Sequence, residues 1–377
     1  MKYSNIGGQA VMEGVMMRNG GKYAVAVRTV DGGIAVVRKT HAPLIKNEKI
    51  QRLPIIRGII SFVDSLVLGM SSLMLSAEFF AEESVEEAKE RLKEEKKKTE
   101  KKAERLRASG KEKEAQELLD AFEERARQEI AKAQEGGVAS GDAHKDMEEK
   151  EKDSGNSILM GVTVFISILM SVGLFMLLPY LLASALRRIG AGETVVALCE
   201  ALLRMTIFFL YMFLISRMKD IQRTFMYHGA EHKCINCIEH GMELNVENVR
   251  KSSRQHKRCG TSFLLYVMVV SVIFQLFFVF VRITNPAMRI GIRLLMIPLI
   301  AGIAFEFIRL AGQSSNACVN LMSKPGLALQ KLTTKEPDDS QIEVGIASVE
   351  AIFDWKKYLN ENFGAAYPLD EEKPENE

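Results

Sequence analysis

The chain has 377 residues, 47% of them hydrophobic and 26% charged, with a formal net charge of +2 and a mean hydropathy of +0.01. Those averages conceal two parts: residues 81–153 hold 23 Asp/Glu and 18 Lys/Arg, whereas the other 304 residues hold 25 acids against 32 bases and nearly all the long apolar runs. The division argues against a wholly soluble two-domain enzyme, the default for this length, and five cysteines are too few, and odd in number, for a disulfide scaffold.

In chain order, residues 1–52 read as a β-rich unit. Lys22–Val30 and Ile34–Thr40 alternate apolar and polar residues around Asp31-Gly32-Gly33, a hairpin signal. Upstream, residues 7–18 are dense in Gly and Met with the single acid Glu13, and no Gly-Lys-Ser/Thr closes them into a phosphate loop. The first 20 residues carry no signal-peptide pattern. Residues 53–80 contain the apolar stretch Gly58–Ala77, interrupted by Asp64 and several Ser and Gly, which we read as a re-entrant or in-plane helix. Residues 81–153 form a charged cytoplasmic helical insertion, solvated and suited to recruiting a membrane-protein or peptide partner, with Gly136–Gly141 as a flexible joint.

Two clean apolar runs follow. Ser154–Leu186 gives 33 uncharged residues and Thr261–Val281 gives 21, each enough for the roughly 20 that a spanning helix needs. Thr194–Ser216 and Ile290–Ile308 are apolar but carry Glu200 and Arg204, and Arg293 and Glu306. Ionisable groups in spans either serve function or pair as packing salt bridges, and the sequence leaves both open. Residues 154–216 and 261–311 therefore supply two spans each. The connection 217–260 bears nine Lys/Arg, which places it in the cytoplasm by the positive-inside rule. Arg187, Arg188, Arg282, Arg289 and Arg293 then fall outside, against that rule. Residues 312–377 read as a cytoplasmic amphipathic helix, with Ile342, Ile346, Val349 and Phe353 at helical spacing after an N-cap at Asp338-Asp339-Ser340, and an acidic tail from Asp370. The expected fold is a mainly α-helical integral membrane protein, with about four transmembrane helices, one re-entrant or in-plane helix and a small N-terminal β-rich unit. The expected partner is the lipid bilayer, not nucleic acid.

The chemistry concentrates in residues 217–260, where four of the six histidines lie. His228 and His232, four apart, project from one helical face and can reach a single metal ion, with Glu231 beside them to accept a proton from water. This is the His-x-x-Glu-His arrangement of inverted zincins, although Gly229 would weaken the helix it needs. His256 and Cys259 offer a second pair. One ligand set is His228, His232, His256 and Cys259; another is Cys234, Cys237 and His240, a Cys-x-x-Cys-x-x-His run that suits structural zinc in a reducing compartment. Cys199 and Cys318 lie in or beside apolar helices and read as packing residues.

Residues 8–18 (GQAVMEGVMMR), 227–232 (YHGAEH), 256–263 (HKRCGTSF) and 332–339 (LTTKEPDD) resemble signatures of the YqhQ-like bacterial membrane proteins. That family is described as a domain of unknown function and as predicted metal-dependent enzymes. The resemblance covers the chain except for about 81–153, an insertion here. It implies a location in the bacterial inner membrane and favours His228, Glu231, His232, His256 and Cys259 as site residues, without Cys234 and Cys237. Glu13 could complete the site or cap a turn. Two functions follow: a zinc-dependent hydrolase with Glu231 as general base, or a non-catalytic membrane scaffold or assembly factor in which structural zinc staples the 217–260 loop.

Overall fold

The computed structural model describes residues 2–29, 31–45, 53–81, 85–108, 111–136, 154–280, 286–314 and 316–368. It separates into one unit of Met1–Arg28, Val36–Ser76 and Met160–Glu377, and a second of Thr29–Ala35 and Ala77–Leu159.

Four strands, β1 (Gly7–Val11), β2 (Gly14–Asn19), β3 (Lys22–Arg28) and β4 (Ile34–Thr40), form one sheet in the order β1-β2-β3-β4. The alternating 22–40 segment is the expected hairpin, with Gly32 at φ +82°. The Gly/Met motif, for which no strand was expected, builds the first hairpin, pairing Val11 with Gly14 and Gly7 with Arg18. Glu13 occupies its turn at φ +47°. Valines, alanines and methionines of β2 and β3 are almost fully buried, so both faces of these strands are covered, and β3, expected to alternate, is instead buried from Tyr23 to Val27.

The helices are α1 (Ile56–Ala81), α2 (Val85–Ala108), α3 (Glu112–Gly136), α4 (Ser154–Val172) and α5 (Leu178–Ser184). There follow α6 (Glu193–Ile215), α7 (Lys219–Glu239), α8 (Val246–Lys251), α9 (Gly260–Phe280), α10 (Pro286–Gln313), α11 (Ala317–Thr333), α12 (Asp339–Glu350) and α13 (Trp355–Phe363). Helices α4 and α5 are joined by a π-turn at Gly173–Leu177, because Pro179 lacks the N–H that would close a regular turn.

Five helices among the described residues are long and apolar enough to cross a membrane: Ile56–Ala77, Gly161–Ile189, Glu193–Ile215, Gly260–Phe277 and Gly291–Gly312. The expected four-plus-one pattern thus has five members of comparable length, and the 58–77 stretch is one uninterrupted helix. The interrupted charges resolve into pairs. Glu200 accepts from Arg204 at 2.9 Å and from Arg293 at 2.6 Å, and Glu306 pairs with Arg57 of α1. Both arrangements are packing salt bridges.

Within the second unit, α2 and α3 form the helical hairpin foreseen from composition, laced by Arg125–Glu95 and Lys96–Glu123. The glycine joint beyond Gly136 and the acidic tail from Asp370 lie outside the described residues.

Helix α7 is the centre of the first unit: from Tyr227 to Glu239 every residue except His228 is buried. The sheet packs on it through β1 and β2, and α12 packs on both α7 and the sheet. An Asp338–Gln341 capping box starts α12, as the sequence suggested for Asp338. Ile342, Val344 and Val349 are wholly buried beneath it, each contributing about 1.5–3 kcal/mol. Ser348 donates to the Val15 carbonyl at 3.0 Å. The C-terminal helix therefore docks on protein.

Candidate metal centre

Three donor atoms converge where α7 meets the segment leading into α9. His228, His232 and Cys259 each place one ligand atom within 4.8 Å of the other two. The imidazoles stack one helical turn apart, with centroids 4.4 Å from each other, and His228 Nε2 lies 3.2 Å from Cys259 Sγ. Tetrahedral zinc bonds of roughly 2.0–2.3 Å put neighbouring ligand atoms about 3.3–3.7 Å apart, so the cluster is close to ligating size.

The surroundings fix which nitrogen faces inward. His228 Nδ1 lies 2.9 Å from the Thr333 carbonyl and His232 Nδ1 lies 2.6 Å from the Arg254 carbonyl. A carbonyl can only accept, so both Nδ1 atoms carry a proton and both Nε2 atoms face the cluster. Glu231 completes the arrangement, with Oε2 at 3.8 Å from His228 Nε2 and 3.6 Å from His232 Nε2, its side chain only 5% exposed. Cys259 Sγ accepts the Thr261 N–H at 3.3 Å, at the start of α9.

Burial opposes ionisation of the Cys259 thiol, but His228 and His232 more than offset it and hold its pKa well below the usual thiol range. Burial likewise works against an imidazolium at His228, yet Cys259 and Glu231 raise its pKa to about 9. The metal-free cluster is therefore a thiolate–imidazolium pair, the form that a soft divalent ion displaces a proton to bind.

Gly229, which weakens a helix in isolation, has a local purpose. A Cβ there would fall on the Lys335 carbonyl oxygen. The missing side chain lets residues 333–337 cross α7 closely enough for Lys335 N–H to reach the Phe225 carbonyl at 2.8 Å and for the Thr333 carbonyl to hold His228. Gly8 does the same from the sheet: its Cβ would lie 2.8 Å from Glu231 Cγ and 2.7 Å from the Met16 carbonyl.

The other candidate ligands are placed elsewhere. His256 is buried with Nε2 3.5 Å from Glu239 Oε2, and its backbone is clamped by Gln330, so it stands outside the His/His/Cys group. Glu13 pairs with Arg223 and accepts from Tyr227 at 3.1 Å, tying the sheet to α7, and it is not a member of the His/His/Cys group. Cys234 packs beneath Gly345 of α12. Cys237 Sγ faces the Glu243 carbonyl at 3.3 Å, and His240 Nδ1 contacts the Asn236 carbonyl at 2.7 Å. Burial pushes the Cys237 thiol up to about 11 and the Cys234 thiol well above its ordinary value, the opposite of Cys259. Of the cysteines expected to pack, Cys199 is half-buried and Cys318 is exposed.

Sequence reasoning passed over Glu239 and Gln330. Glu239 is wholly buried and receives Ser4 N–H, Ser4 Oγ and Arg258. Burial raises its pKa, but His256, Arg258 and Ser4 together bring it below the ordinary carboxylate value. Gln330 Nε2 donates to the His256 carbonyl at 2.7 Å and to Ser262 Oγ at 2.8 Å. Neither residue sits in a motif, since their partners are up to 235 positions away. A cavity of about 460 Å³ opens over the cluster, lined by His228, Glu231 and Cys259, by β1 and by Ser65 and Leu68 of α1.

A family profile described as "Protein of unknown function (DUF1385)" matches residues 53–355. The chain is 31% identical over 349 residues to the uncharacterized protein YqhQ of Bacillus subtilis (strain 168), covering 91% of this chain and 90% of that one. No solved structure matches. Neither description mentions a metal or an enzyme activity, so the resemblance to metal-dependent enzymes stated from the motifs finds no support there. The chain belongs to the DUF1385 family of proteins of unknown function.

Proposed function

We propose that this is a multi-pass bacterial membrane protein whose polar head carries a zinc-dependent hydrolytic site, with His228, His232 and Cys259 as ligands and Glu231 as general base. The observation that carries the reading is the convergence of two Nε2 atoms, each with its Nδ1 proton given to a backbone carbonyl, on a thiol sulfur beside a buried carboxylate. Three protein ligands leave a fourth position open, as in catalytic sites rather than closed structural ones. A zinc ion bound there would acidify water and polarise a carbonyl or phosphoryl oxygen. Glu231 would take the proton from the attacking water and return it to the leaving group, while Cys259 and the two imidazoles stay fixed by Thr261, Thr333 and Arg254.

The membrane part rests on exposure and parity. Helices α4 and α5 present Phe165, Ile168, Leu169, Met170, Leu181 and Leu182 to the surroundings at half exposure or more, an apolar surface that water does not tolerate. The sheet is hydrogen-bonded to α7, so the chain between them must cross a membrane an even number of times. Among the described residues, three candidate spans lie in that interval: α1, α4–α5 and α6. Helix α1 is the one held against the sheet, through Asp64 to Arg18 (3.0 Å) and His41 (2.7 Å) and through Ser76 to Met12 N–H (3.1 Å). Its inner face buries Asp64, Leu68, Ser72 and Ser76, and its outer face exposes Val63, Leu66, Val67 and Met70. This two-faced pattern suits a helix lying in the bilayer surface, with α4–α5, α6, α9 and α10 crossing.

A second reading is favoured by the proximity of Glu231 itself. If its carboxylate is a fourth ligand, the site is closed and the metal is a structural staple of a scaffold protein. Glu231→Gln separates the two. A general base leaves full zinc occupancy after this change, whereas a ligand loses zinc affinity in parallel with stability, read by elemental analysis and thermal melts of the same samples.

A further inference from the structure

Among the described residues strand β1 stands at the edge of the sheet, with β2 as its strand neighbour, so its outward N–H and C=O groups have no strand partner there. That open edge borders the cavity beside His228, Glu231 and Cys259: Gly7, Gly8 and Gln9 form one wall, and Ser65 and Leu68 of α1 form the wall opposite. The two walls are linked at Gln9, whose Nε2 reaches the Gly69 carbonyl at 3.5 Å, and at Met12. The cavity runs as a slot along Asn5–Gln9, five residues or roughly 17 Å of extended chain, and is closed at one end by the Gln9–Gly69 link.

We propose that this slot binds a polypeptide segment in extended form, added to β1 as a further strand, with a backbone amide presented to Glu231 and the His/His/Cys cluster. The assignment rests on the metal-site reading above for its chemistry and on the open strand edge for its substrate class. Charge distinguishes a polypeptide from a phosphorylated amphiphile. The two arginines at the cavity are both neutralised from within, Arg18 by Asp64 and Arg258 by the buried Glu239, so neither guanidinium is left to hold a phosphate. Backbone amides, Asn5 and Gln9 offer instead the neutral donors and acceptors that match another backbone. Gly7 adds openness, since a Cβ there would meet nothing within 4 Å. In the hydrolytic step, water oxygen bonds to the amide carbon and the C–N bond breaks. One water proton passes through Glu231 to the leaving nitrogen, giving a carboxylic acid and an amine with no change of oxidation state.

The probe is a fluorescein-labelled Val-Thr-Val-Thr-Val-Thr-Val-Thr octapeptide, and a second copy is N-methylated at alternate amides. Anisotropy is read against the full-length protein in detergent. Saturable binding is expected for the first peptide and at least tenfold weaker binding for the second, because strand addition needs the blocked N–H groups. Ser65→Trp, which fills the α1 wall away from the metal cluster, should reduce binding at least tenfold with zinc content unchanged. The His228→Ala/His232→Ala variant should bind the peptide within about threefold of wild type even when free of zinc, so that failure of the metal reading and failure of the strand reading give different results. Equal binding of both peptides, no saturable binding, or saturable binding of phosphatidylglycerol micelles with none of the peptide would overturn the proposal.

Discussion

Replacing Gly229 by alanine perturbs the metal centre without touching a ligand. In an exposed helix the change would stabilise by about 1 kcal/mol. Here the added methyl lands on the Lys335 carbonyl oxygen, which must retreat by about 1 Å to restore an ordinary carbon–oxygen separation of about 3.3 Å. Residues 333–337 form one short connection, so the Thr333 carbonyl moves with it. Its 2.9 Å contact with His228 Nδ1 then stretches to nearly 4 Å, beyond hydrogen-bonding range. Overpacking costs about 1–3 kcal/mol and the lost bond about 1 kcal/mol, leaving a net destabilisation of about 2 kcal/mol. Freeing the outer nitrogen of a ligating imidazole typically lowers metal affinity 10–100-fold. Competition against a chromophoric zinc chelator should show that loss, and a thermal melt should show a lower Tm than wild type. Gly161→Ala, where a Cβ meets nothing within 4 Å, is the control and should leave zinc affinity unchanged without lowering Tm. Unchanged zinc affinity in Gly229→Ala would refute the argument that this glycine exists to seat His228.

Other consequences follow from the same geometry. Gly8→Ala should lower zinc affinity or turnover about tenfold by pushing on Glu231, since Met16 backbone leaves the methyl no other direction; isothermal titration of both proteins checks it. With His228 near 9 and Cys259 ionised in the metal-free protein, zinc must displace the imidazolium proton. Apparent affinity should therefore rise about tenfold per pH unit up to about 9 and level off above it, with proton release visible in buffers of different ionisation enthalpy. Glu239→Gln leaves Arg258 and His256 facing a neutral group and should cost about 3 kcal/mol by denaturant melts. Because the folded Glu239 has a pKa below its ordinary 4.5, its stabilisation is complete above that value and is lost as pH falls through the folded pKa. The variant should accordingly show a flatter acid side of its stability profile.

Much of the site was legible because its geometry is local. His228, Glu231 and His232 share one helix, and a four-residue spacing alone puts both imidazoles on one face. Cys259 needed only the observation that it precedes an apolar helix. The 22–40 hairpin was visible through its Asp31-Gly32-Gly33 turn signal, and α12 through periodicity and its capping residue. The β1–β2 hairpin was not, because strands built from Gly and Met show no polar–apolar alternation. The Cys234–Cys237 pair misled for a related reason. Three residues apart on a helix, one sulfur turns to Gly345 of α12 and the other to the Glu243 carbonyl, a divergence set by what packs around α7. His256 resembled a ligand beside Cys259, but the buried Glu239 claims its ring from 17 positions upstream. How α1 is held to the sheet is likewise a tertiary matter, since its bonds to Arg18, His41 and Met12 join residues far apart in sequence.

The account turns on whether His228, His232 and Cys259 hold a metal. Elemental analysis of the detergent-purified protein by inductively coupled plasma mass spectrometry, alongside His228→Ala/His232→Ala and Cys237→Ser, tests this directly. The predicted result is one equivalent of zinc per chain in wild type and in Cys237→Ser, and none in the double histidine variant. A wild-type protein that stays metal-free after zinc loading, or a double variant that keeps its zinc, would contradict it.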